Sequence, residues 1–250
     1  MASNLSSGAN TNVSNLKTLN SAIVGYGDIY NPANAQITPA ALQAAYLLGL
    51  NAVNAVDSVL PANTNAKNAR SKAFESLSKI ATRVGNAFKS LIADDSAREH
   101  IRSLILLIQR GRVTTTKPKS SDNHISEDPA SIKENTSHKS SYDKQLDNFY
   151  KLIQFLASFP AYVPNEAELT VAGLTAFYND LVMNNQTVVD TQTQLDSTRR
   201  MREKVLYQPV TGLVHLSNDS KSYIKSVFGA NSPEYKQISK LKFGTYKNIM

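Results

Sequence analysis

Along most of the chain, large apolar residues recur every three or four positions, the spacing of helices that bury one face. Leu16, Leu19 and Ile23 mark a first helix over about 15–26, which Gly25 and Gly27 bring to an end. Thr38 stands where it can cap the next helix, with Pro39 at the first helical position, where a missing N–H costs nothing. Leu42, Tyr46, Gly49, Val53, Val56 and Leu60 carry that stripe to Pro61, which predicts a break or a kink. Phe74, Leu77, Ile80, Val84, Phe88 and Leu91 line a third helix over about 65–92. Ser96 and Glu99 have the spacing of a capping box for a fourth, over about 97–110.

Periodicity then stops. Residues 111–141 are polar, mixed in charge and nearly without large apolar groups, which predicts a flexible linker. It resumes over about 142–159, with Leu146, Phe149, Ile153 and Leu156 on one side. Asn165 and Glu168 have capping-box spacing ahead of a helix carrying Leu174, Phe177, Leu181, Val188 and Leu195. A basic helix over about 198–207 turns Met201 and Val205 inward, and Pro209 and Gly212 interrupt. Leu213, Leu216, Ile224 and Val227 begin again, and Phe228-Gly229 reads as a helix end. Ser232-Pro233-Glu234 starts a short last helix with Tyr235 and Ile238, and the basic ending KLKFGTYKNIM either docks or frays.

Two stretches repeat one another. YNPANAQITPAALQAAY (30–46) and YVPNEAELTVAGLTAFY (162–178) share eight of seventeen positions at an offset of 132. The identities include Tyr30/Tyr162, Pro32/Pro164, Thr38/Thr170 and Leu42/Leu174. The register holds onward without a gap through Val56/Val188, Arg70/Arg202, Lys72/Lys204 and Ile92/Ile224. An amphipathic stripe alone aligns apolar positions; it does not align Tyr, Pro, Thr, Arg and Lys as well. The expected fold is all-α, a helical bundle built from two similar internal repeats, packed either as one bundle or as two. The expected organisation is a flexible tail (1–15), a first helical repeat (16–110), the flexible polar linker (111–141) and a second helical repeat (142–250).

Composition changes this picture little. The 250 residues are 41% apolar and 19% charged, ordinary for a globular chain. Without cysteine there is no disulfide scaffold, zinc-thiolate site or cysteine nucleophile. The opening MASNLSSGANTNVSNL has neither the basic head nor the apolar stretch of a signal peptide, and the apolar run Ile101–Ile108 is too short to span a bilayer. The expected location is cytoplasmic, with no membrane partner. His100, His124, His138 and His215 lack ligand spacing, and no phosphate-cradling glycine motif occurs, so no metal or cofactor is expected. Asp143 and Asp147 lie four residues apart on one helix, but capping or pairing with Lys144 or Lys151 accounts for them as well as acid–base chemistry does.

Charge is uneven. Residues 1–65 carry −1, 66–112 carry +6, 113–198 carry −5 and 199–250 carry +7. The two basic blocks fall at equivalent places in the repeat, which makes Arg70, Lys72, Arg202 and Lys204 the candidate contacts to an acidic surface.

Four segments carry a family likeness: Ser141–Ile153 (SYDKQLDNFYKLI), Tyr162–Leu169 (YVPNEAEL), Leu206–Leu213 and Ser232–Gln237. Together they resemble a group of uncharacterised proteins from Bacteroidetes, departing from the pattern at Pro209. The likeness implies a family but brings no activity with it. The function expected from the sequence is a non-enzymatic helical structural or protein-interaction module, acting through a protein partner or self-association. The alternative is non-specific binding of nucleic-acid backbone through the basic helical segments.

Overall fold

The computed structural model describes residues 4–110 and 136–244, and every regular element among them is helical. Helix α1 spans Asn4–Gly25, α2 Pro39–Leu91, α3 Asp95–Arg110, α4 Thr136–Ala157, α5 Val171–Tyr207, α6 Leu213–Phe228 and α7 Pro233–Ser239. Single 3₁₀ turns at Ala35–Ile37 and Ala167–Leu169 lead into α2 and α5. Residues 111–135 of the expected linker lie outside the described residues, and 136–141 already belong to α4.

Several expectations are corrected. The 1–15 segment is not a tail: from Asn4 it is helix, and buried Ala9 and Val13 continue the stripe of Leu16, Leu19 and Ile23 into the core. Pro61 does not end a helix, because α2 runs through it for 53 residues. Pro61 is exposed, and so is Asp57, whose carbonyl it cannot serve. On either side the same face stays buried, through Val53 and Val56 before and Asn63, Ala66 and Arg70 after. The predicted basic helix 198–207 is the end of α5 and not a separate element. Cap assignments also move. Asp94, not Ser96, accepts from the Ala97 N–H at 3.1 Å to start α3. Thr170, not Asn165, caps α5 by accepting from the Gly173 N–H at 3.0 Å.

The lead-ins to α2 and α5 share one construction. The Tyr30 hydroxyl donates to the Ile37 carbonyl at 2.8 Å, and the Tyr162 hydroxyl donates to the Leu169 carbonyl at 2.9 Å. Both phenols are buried, and a buried hydroxyl must find an acceptor. Thr38 donates to the Ala35 carbonyl and Thr170 to the Ala167 carbonyl, at 3.1 and 2.7 Å. Thr38 also accepts from the Ala41 N–H, as expected of a cap. Each Tyr thus pins a 3₁₀ turn whose last apolar residue, Ile37 or Leu169, is buried at the helix start.

The chain divides into two compact units, residues 1–63 with 191–250 and residues 64–190. Each draws on both halves of the chain, so neither unit coincides with 16–110 or 142–250. The first gathers α1, α2 up to Asn63, α5 from Thr191, α6 and α7 around Leu16, Leu19, Leu42, Leu206 and Ile224. Gly49 permits the close packing there: a Cβ on it would lie 2.6 Å from Leu213 Cδ1. The second unit gathers the rest of α2 and α5 with α3 and α4 around Leu77, Phe88, Ile108, Phe149 and Leu174.

Candidate functional site

Of the four basic residues singled out by sequence, Lys72 and Lys204 are exposed, whereas Arg70 (8% exposed) and Arg202 (5%) are buried. The buried stripe of α2 explains Arg70. Leu42, Gly49, Val56, Asn63, Arg70, Leu77 and Val84 are all buried and recur every seven residues. In α5, Leu174, Leu181, Val188, Leu195 and Arg202 do the same. Met201, expected inward, is 68% exposed, because the seven-residue spacing brings position 202 to the core instead.

Arg70 sits in a polar cluster, although its buried Nε has no hydrogen-bond partner. Its Nη1 donates to Asn185 Oδ1 at 3.0 Å, and Asn185 Nδ2 donates to Asp143 Oδ1 at 2.8 Å. The guanidinium lies 4.3 Å from the centroid of the Tyr142 ring, which in turn meets Phe74 edge-on. Burial pulls the pKa of Arg70 below its ordinary value, while Tyr142 and Asp143 act in the opposite direction. Arg202 has no such cluster. Its Nη2 lies 3.8 Å from Glu203 Oε1, and its buried Nε, like that of Arg70, has no hydrogen-bond partner. The residues 132 positions before Tyr142, Asp143 and Asn185 are Asn10, Thr11 and Val53, which supply neither ring nor carboxylate.

Asp143 and Asp147 part ways. Asp143 accepts from Asn185, while Asp147 pairs with Lys151 at 2.6 Å. Glu168 pairs with Arg83 at 2.6 Å instead of joining a cap. No group of three or more His, Asp and Glu that could hold a metal ion occurs among the described residues. No helix among them is long and apolar enough to cross a membrane. A groove of about 730 Å³ runs along α2 and α3, lined by Thr82, Asn86, Lys89, Glu99, Arg102 and neighbours. Arg98 beside it is committed to structure, donating to the Ile92 and Lys89 carbonyls that end α2 and pairing with Asp95.

A different surface stands out on α2. Ala40, Ala44, Leu47, Leu48, Asn51 and Ala55 are all exposed, with Leu48 at 61%. At about 100° per residue they fall within roughly 100° of the helix circumference, so they form one face. No charged residue occurs between Asp28 and Asp57. Solvent-facing helix surfaces ordinarily carry charge, and this one carries none. Sequence periodicity marks the opposite, buried stripe; the missing charges were the available signal for this face. No protein-family model, curated protein or solved structure matches the chain.

Proposed function

We propose that this protein is a non-enzymatic helical interaction module that docks a protein partner or a second copy through the uncharged face of α2. The observation that carries this reading is the run of exposed Ala44, Leu47, Leu48 and Ala55 in a charge-free stretch. Contiguous exposed apolar surface is characteristic of protein contact sites, whereas scattered single residues are not. The test is the full chain carrying Leu47→Glu with Leu48→Glu. Two introduced charges should abolish self-association in sedimentation velocity, or retention of the native partner, with helicity unchanged. An association insensitive to this pair, or reproducible turnover in a hydrolase and transferase screen, overturns the reading.

The same proposal includes an origin for the fold in two similar helical repeats, 16–110 and 142–250. Supporting it, α1 and α4, the two 3₁₀ turns, and the starts of α2 and α5 all lie 132 residues apart. A chain whose residues 30–46 are replaced by a copy of 162–178 should keep its helicity and a cooperative unfolding transition. A molten product would count against equivalence.

Lys72 and Lys204, exposed at equivalent positions, support a second reading as weak contacts to nucleic-acid backbone. A mobility shift at low salt that disappears with Lys72→Ala and Lys204→Ala is the expected outcome there. No shift at low salt removes it.

A further inference from the structure

The exposed face of α2 has a symmetry of its own. Ala40, Ala44, Leu47, Leu48, Asn51 and Ala55 cover about four turns of the helix, or about 22 Å. Taken in pairs outward from the midpoint between Leu47 and Leu48, they read Leu47 with Leu48, Ala44 with Asn51, and Ala40 with Ala55. The central pair and the outer pair are identical in type, and the middle pair sets a small residue against a medium one. At about 100° per residue, the two members of every pair also lie symmetrically about one line along the helix, the centre line of the face.

Such a pattern limits what can cover the face. Two copies of one helix that cross antiparallel on a two-fold axis meet in pairs of this kind, residue i of one against j of the other and j against i. With the axis at the midpoint, Leu47 of each copy meets Leu48 of the other, and the four leucines close an apolar centre. Ala44 leaves room for Asn51 of the second copy. Alanine at both ends lets the helix axes approach, since their separation is set by the side chains at the contact. No charged residue occurs between Asp28 and Asp57, so this pairing buries no charge, whereas a charged partner would find no counter-ion on the face. Nor does the fold itself call for leucine there. At the start of α5, which has the same tyrosine-pinned lead-in, the exposed residues 132 positions on from Leu47 and Leu48 are Asn179 and Asp180.

We infer that a second copy of this chain covers the face, with the two α2 helices antiparallel and the two-fold axis between Leu47 and Leu48. The inference rests on the reading of this face as a docking surface and names its occupant.

The chain has no cysteine, so introduced ones report the register by themselves. Ala44→Cys and Asn51→Cys, both at exposed positions, are made as separate variants of the full chain. Each is oxidised in a glutathione buffer alone and in an equal mixture with the other. A disulfide needs Cα atoms within about 7 Å. The antiparallel pairing sets position 44 against position 51 of the second copy, while two positions 44 stand about 10 Å apart along the helices. The mixture should therefore form a covalent dimer about tenfold faster, or more, than either variant alone. Sedimentation velocity of the unmodified chain should show a dimer at about micromolar concentration and above, since a contact of about four turns is at the small end of specific interfaces. Leu47→Glu with Leu48→Glu should weaken that dimer by about a hundredfold or more, with helicity unchanged by circular dichroism. A chain monomeric at every concentration, or cross-linking of like positions faster than in the mixture, overturns the inference. The docking surface outlives a monomeric result only where the same two glutamates release a native partner. A dimer that withstands the two glutamates overturns both the inference and the reading beneath it.

Discussion

Arg70 and Arg202 stand 132 residues apart, are buried to a similar degree, and differ in what surrounds the guanidinium. Neither Nε has a hydrogen-bond partner, but Arg70 has Asn185 and the Tyr142 ring, whereas Arg202 has a glancing carboxylate at 3.8 Å. A buried charge without acceptors is expensive, and an apolar side chain of similar shape often does as well or better. Arg202→Met should leave stability unchanged or raise it by about 1–3 kcal/mol. Arg70→Met should cost about 1–3 kcal/mol, because it strands Asn185 and removes the cation from the ring. Urea denaturation of the two variants measures the contrast, and equal losses would mean that the clusters do not differ energetically. The burial of both arginines was legible in the sequence through spacing alone: counting sevens from Leu174 lands on 202, and from Leu42 on 70. Residue type says the opposite, since arginine ordinarily lies outside. Where type and spacing disagree inside a long helix, spacing decides, because one misplaced turn would expose the whole stripe.

Helix existence and approximate extent follow from periodicity, as α3, α4, α6 and α7 illustrate; helix starts do not. Ser96/Glu99 and Asn165/Glu168 have capping spacing, yet Asp94 and Thr170 do the capping. Several polar residues compete within a few positions, and tertiary packing of Leu169 or Ala97 selects one of them. Tyr162 is the other part of that selection. Burial first, and Glu166 second, push its pKa up to about 12 from an ordinary 10.0. The unfolded chain therefore loses this proton at lower pH than the folded one. The contribution of the neutral phenol is full below about pH 10 and is lost as pH rises to about 12. Tyr162→Phe should flatten part of the alkaline fall in urea midpoint over that window. At neutral pH it should cost about 1 kcal/mol for the orphaned Leu169 carbonyl. The link between α5 and α6 offers a second measurement. Val210 holds φ at 68°, a left-handed conformation that a β-branched residue adopts only under strain. It is exposed and packs little, so Val210→Gly should raise stability by on the order of 1 kcal/mol in thermal unfolding.

For the molecule as a whole, similarity along the sequence and compactness in space divide the chain differently. The likeness between 30–46 and 162–178 points to halves that follow one another, yet each compact unit takes helices from both halves. Period and motif carry no information on this, because they report which face of a helix is buried and not which helix covers it. Fragments 1–110 and 136–250, expressed separately, should therefore each show low, non-cooperative helicity. Mixing them should restore cooperative unfolding by circular dichroism. A fragment with native helicity on its own would show that half the chain suffices for a core. The same division sets a schedule at the ribosome. Residues 64–190 are continuous in the chain and can close their unit as soon as they emerge. Residues 1–63 must wait for Thr191 and beyond, an interval on the order of ten seconds at ordinary rates of synthesis. Throughout that interval the stripe of α1 and the charge-free start of α2 are both uncovered. Of the described helices, α1 and the start of α2 are thus made earliest and sheltered last, and a nascent-chain chaperone would meet the protein there.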